Sequence, residues 1–276
     1  RCLMRTRISR FDRRPVWLYI VCGLVLFFLI MPVLIIIPMS FGGSDFLEFP
    51  PSSFSLRWYR DFFSNPKWLN AAWNSLRIAV CTMVLACTLG ISAALGITSK
   101  TMKKGGKVFN VILLLPMILP SIIVAISMYM VYGQWKLIGT YTGMVLAHTC
   151  LAIPMVVTLT AASLYGVDSN LYDAARSLGA THFTAVRKIV LPLIRPAILT
   201  SMLFAFVTSF DESVVSVFIA RRNTATLPKL MFDSLKYEVS PAISAISSLL
   251  IFATLAVFCL RFVINAKKEA AHEKVH

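Results

Sequence analysis

Charge is scarce in this chain. Only 14% of its 276 residues are Asp, Glu, Lys or Arg, against roughly 25% in an ordinary soluble domain. That argues against a water-filled surface over most of the molecule. Metal-ligand spacing is also missing. The six cysteines are Cys2, Cys22, Cys81, Cys87, Cys150 and Cys259, and no two stand at a zinc or redox spacing. They read as small packing residues. The four histidines, His148, His182, His272 and His276, form no His-x-x-x-His or Glu-x-x-His pair. No nucleophile–base set is in sight, so nothing supports a membrane enzyme. There is no glycine loop followed by Lys-Ser/Thr to cradle a nucleotide phosphate. No internal repeat and no low-complexity segment is found.

What fills the chain is apolar sequence in blocks. Hydrophobic residues make up 58%. Residues 16–44, 78–99, 108–135, 137–167 and 239–260 each lack any charged residue. Each exceeds the ~20 residues a helix needs to cross the hydrocarbon core. A sixth block, 196–220, is interrupted only by Asp211-Glu212. No period-2 alternation suggests a barrel, and helices are the other structure that satisfies the backbone in lipid. The expectation is an all-α membrane protein with six transmembrane helices, near 16–39, 71–97, 108–133, 141–165, 196–220 and 242–264.

The net charge of +15 invites a nucleic-acid reading, but its distribution argues against one. With six spans and both termini on one side, that side carries 18 of the 27 Lys and Arg residues. Bases concentrated in short loops mark the cytoplasmic side. The first apolar run is longer than a signal-peptide core, so it is expected to stay as an anchor. The chain then divides into a cytoplasmic tail at 1–15, a membrane domain at 16–265 and a cytoplasmic tail at 266–276. Outside, "SLRWYRDFF" (55–63) places Leu56, Tyr59, Phe62 and Phe63 on one face, as a helix lying in the interface does. Asn74 and Arg77 stand near the outer end of span two. Small residues recur on spans two and four (Gly90, Ala94, Ala147 and Ala152 among them), where they permit close helix contact.

One polar insert stands apart, at 168–195 between spans four and five. Asp168 or Ser169 can cap a helix. Leu171, Ala174, Ala175 and Leu178 follow at i, i+3, i+4 and i+7. Asp173 suits the first turns. Gly179 offers a left-handed stop. Thr181 can start a second helix with Phe183, Val186, Ile189 and Val190 on its apolar side, ended by Pro192. Such an element can dock in a groove on a soluble partner, or simply lie in the interface. The residues alone leave both open. An ion-coupled transporter with broken helices would leave the insert without a purpose.

The insert resembles the signature of permease subunits of binding-protein-dependent ABC importers. That pattern is Glu-Ala-Ala, three residues, Gly, nine residues, then Ile-x-Leu-Pro. Here Ala174, Ala175, Gly179, Ile189, Leu191 and Pro192 match, and Asp173 replaces the Glu with its charge retained. The stretches 209–220 and 224–250 look like the second permease of spermidine/putrescine-type importers, a subfamily that also includes carriers of 4-aminobutyrate, opines and aminophosphonates. The resemblance implies a type I importer permease fold and a coupling helix in the insert. It implies as partners a second, similar permease, two ATPase subunits that use ATP and Mg, and an extracytoplasmic solute-binding protein. It implies no cofactor in this chain.

Asp211 and Glu212 form the second candidate site. A carboxylate inside a span costs about 2.5–3.5 kcal/mol on insertion scales, so the pair is expected to face protein or water. Two readings stand level. The acids are structural, satisfied by Ser209, Ser213 or a helix N-terminus; or Asp211, with Glu212 behind it, lines a route for an amine-bearing solute. The resemblance to polyamine-type permeases, which carry acids at this place, is what lifts the second reading to the level of the first.

Overall fold

The computed structural model describes residues 16–99, 105–237 and 240–256. Both tails, the basic cluster at 100–104, and Cys2, Cys259, His272 and His276 lie outside them. Among the described residues the chain is all helix and loop, with a lone antiparallel bridge between Gly42 and Phe54. It divides into two compact units, one of residues 1–65 and 234–276, the other Pro66–Asp233.

In the first unit, α1 (Val16–Ser40) is apolar on every side and exposed along Val16–Met31. A helix apolar all round belongs in lipid or against other apolar helices. The short helix α2 (Arg57–Ser64) forms where the amphipathic pattern predicts. Its packing is narrower than the pattern: Phe62 is buried, while Leu56 and Phe63 stay exposed. Tyr59 turns inward because its hydroxyl finds partners there. The Oη lies 2.7 Å from Ser40 Oγ and 2.6 Å from Ser248 Oγ. Trp58 Nε1 donates to the Ser44 carbonyl, and Arg57 pairs with Asp45.

The second unit is built around α3 (Pro66–Thr98) and α6 (Tyr141–Tyr165). They meet through small residues. Ala86, Ala94, Ala147 and Ala152 are fully buried, and a Cβ on Gly90 would stand 2.7 Å from Val156 Cγ1. Without a hydrophobic force between helices in lipid, such close backbone packing is what holds them.

Span three departs from the expected single helix. Its two halves, α4 (Gly105–Ile118) and α5 (Ser121–Gln134), are bent by 103° at Leu119-Pro120. Pro120 has no N–H to give and forces the residue before it out of helical geometry. Pro116 and Pro154 stay inside their helices. Span five departs too: the helix ends at Phe210, not near residue 220, and a short helix resumes at Val214. Only part of span six is described, Ala242–Ala256. The six expected spans thus correspond to three long apolar helices, two broken segments and this partial one.

Candidate functional site

The insert folds as two short helices with an elbow between them. The first, α7 (Ser169–Ser177), starts at Asp168, whose carboxylate accepts from Asn170 N at 2.9 Å. It ends at Gly179, with φ +86°. Gly179 N donates to Arg176 O and Ala180 N to Ala175 O. These two bonds are a Schellman stop, which needs the left-handed residue that glycine supplies cheaply. Arg176 Nη1 donates to Ala180 O and closes the turn from outside.

The second arm starts at Thr181, whose hydroxyl accepts from Thr184 N. It runs through α8 (His182–Ala185), a π-helical turn Val186–Val190, and α9 (Leu191–Leu193). Here the expectation that Pro192 ends the helix needs correction. The chain stays helical to Leu193. A wide π turn, with Leu191 N reaching Val186 O, precedes the proline and makes room for a ring that would otherwise press on the preceding turn. Ile194, fully buried, is the break. Beyond it α10 (Arg195–Phe210) leaves at 76° to the arm.

The apolar stripe does not pack inward as a whole. Ala175, Ala185 and Val190 are buried, while Ala174 and Leu171 are exposed, Phe183 is 70% exposed and Leu178 89% exposed. Asp173 is exposed as well. Sequence reasoning missed the pair that fixes the elbow: Tyr172 Oη lies 2.7 Å from His182 Nδ1, with the rings edge to face. An aromatic and a histidine ten residues apart across a glycine stop were the available signal.

The two acids of span five part company. Asp211 caps the C-terminal end of α10 and is exposed. Glu212 turns back: its Oε1 accepts from Val215 N at 2.9 Å and its carbonyl accepts from Ser216 Oγ. It therefore satisfies the start of α11 (Val214–Ile219), where backbone N–H groups lack helical partners. For Glu212 the structural reading is the one the contacts favour.

His148 of α6 reaches the same break, which the scatter of histidines in the sequence did not reveal. It is fully buried. Its Nδ1 lies 2.9 Å from Ser209 Oγ, and its Nε2 lies 3.1 Å from Ser216 Oγ. Asn74 is also buried; its amide donates to the carbonyls of Asn223 and Ala225, and its oxygen accepts from Tyr141 Oη. Asn74 thus ties the loop after α11 to α3, while Arg77 stays exposed and stacks on Trp73.

A bundle of apolar helices interrupted by a polar elbow is the build of a transporter's membrane subunit. Residues 86–270 match the family described as binding-protein-dependent transport system inner membrane component. The spermidine/putrescine transport system permease protein PotC of Haemophilus influenzae is 30% identical over 94% of this chain and 99% of its own. The putrescine transport system permease protein PotI of Escherichia coli is 28% identical, covering 93% of each chain. A crystal structure of a bacterial ABC transporter involved in the import of the acidic polysaccharide alginate shares the fold, with TM-score 0.67 and 15% identity, over 95% of this chain and 99% of that one. The chain belongs to the family of inner membrane components of binding-protein-dependent transport systems: it is a multi-pass ABC transporter permease.

Proposed function

We propose that this permease carries a polyamine or similar amine-bearing solute inward, as one half of a path completed by a second permease. Two separate ATPase subunits use ATP and Mg, an extracytoplasmic solute-binding protein delivers the solute, and both termini face the cytoplasm. The names and near-full coverage of the spermidine/putrescine and putrescine relatives support the solute class. The excess of bases on the side of the insert supports the orientation.

The observation that carries the reading is the exposed row Leu171, Ala174, Leu178 and Phe183 on a doubly capped elbow. An apolar surface rimmed by polar residues marks an interaction site. Asp173, Ala174 and Gly179 form the docking tip, with the buried Ala175 packed behind it, and Ile189, Leu191 and Pro192 form the stem that turns it into the membrane. When the ATPases close on ATP, the stem passes that motion directly into α10, since only Ile194 lies between them. Two packed arrangements of the spans then alternate, inward-open and outward-open. At ~1.5 Å per residue, α10 carries the motion about 24 Å to Asp211. The exposed carboxylate there attracts the ammonium groups of the solute.

The test is uptake of labelled putrescine by cells whose own polyamine uptake has been deleted and which express the whole complex. Asp211→Asn is expected to lower uptake at least about tenfold, roughly 1.4 kcal/mol, with the complex still assembled. Glu212→Gln keeps an oxygen for Val215 N and is expected to transport within about twofold of the unmodified chain. Unchanged uptake by Asp211→Asn contradicts the assigned route.

A further inference from the structure

The break in span five is held by a residue of another span. Ser209 lies before the break, Ser216 after it, and one imidazole bonds both. A helix end buried in an apolar bundle has no water to satisfy its backbone groups, so side chains must do so. His148 Nδ1 lies 2.9 Å from Ser209 Oγ and 3.1 Å from the Ser209 carbonyl, and His148 Nε2 lies 3.1 Å from Ser216 Oγ. Ser216 Oγ–H in turn donates to the Glu212 carbonyl. Glu212 Oε1 accepts from Val215 N, while Asp211 is exposed.

We infer that His148 is the positioning residue for Asp211: it pins the end of α10 and the start of α11 to α6, and so fixes where the Asp211 carboxylate stands. This rests on the route proposed above for Asp211. His148 touches no solute in this account. It acts by denying the break its other geometries. With His148 in place, α6, α10 and α11 move as one piece. Without it, Ser209 and Ser216 lose a shared partner in a dry region, and residues 211–213 are free to rewind toward continuous helix.

Two measurements on the assembled complex test this. In the first, putrescine uptake is measured for His148→Ala, Asp211→Asn and the double variant, with assembly followed by co-purification of the ATPase. The expected result is a KM raised about tenfold in His148→Ala with kcat little changed. The double variant is expected to be no worse than Asp211→Asn, as for two residues acting through one interaction. His148→Gln, whose amide can both donate and accept, recovers part of the loss. In the second, Asp211→Cys, in a background whose native cysteines are replaced by alanine, is labelled with a membrane-impermeant thiol reagent. Adding His148→Ala is expected to change the labelling rate at least about fivefold, since the cysteine takes up new positions. An unchanged labelling rate overturns the inference, as do losses that multiply in the double variant. If Asp211→Asn alone transports normally while the labelling rate changes, the pin stands and the solute route falls.

Discussion

The elbow at 168–195 and the break at 211–213 both interrupt apolar sequence with polar residues, and they solve the interruption in opposite ways. At the elbow the backbone satisfies itself through Asp168, the Gly179 stop and Thr181. Apolar side chains are left outside: Leu178 and Phe183 are largely exposed. At the break His148, Ser209 and Ser216 are buried together, and Asp211 alone of the two acids is exposed. An element that spends its own polar groups on itself and shows its apolar face is shaped for a partner. An element that borrows a buried histidine from a neighbouring span is shaped for internal geometry.

The elbow is the easier of the two to break. Gly179 has open space around its Cα, so a Cβ meets no atom within 4 Å. Its constraint is the backbone alone, at φ +86°. Gly179→Val puts a β-branched residue in left-handed geometry, which costs about 1–2 kcal/mol or more, and dismantles the stop. The expected outcome is the largest in the molecule: uptake near background while the spans still fold and insert. Binding-protein-stimulated ATP hydrolysis with no matching uptake is the signature to measure. Normal stimulated uptake would make the elbow a passive interfacial helix. Losses at the break should be smaller and specific to cationic solute, as set out above for Asp211 and His148. Tyr172→Phe sharpens the comparison from the weak end. It removes one exposed hydrogen bond to His182, worth about 0.5–1.5 kcal/mol. Its uptake is expected within about threefold of the unmodified chain, because the Schellman bonds remain.

Much of this was legible in the chain itself, for reasons that differ by element. The charge-free runs locate α1, α3 and α6 because span length is set by the bilayer and not by packing. The elbow was legible because caps and a glycine stop act locally. The break at Leu119-Pro120 was not. Pro32, Pro38, Pro116 and Pro154 sit inside helices, and nothing local tells them from Pro120. The π turn before Pro192 was hidden for the same reason. The His148 network joins residues 61 and 68 positions apart, a distance that helix periodicity does not reach. The separate roles of Asp211 and Glu212 could not be read from an adjacent pair. They follow from which side of the break each side chain falls on.

The central claim is that the exposed apolar row on the elbow is covered by an ATPase. Leu178 is 89% exposed and reports on it most directly. A photo-reactive cross-linker attached to Leu178→Cys, in a background with the native cysteines replaced, is fired in membranes holding the whole complex. The account predicts a covalent adduct of this permease with the ATPase subunit, formed from the cytoplasmic side and lost when the ATPase is omitted. Cross-links only to lipid, with the ATPase present and the complex assembled, would contradict it.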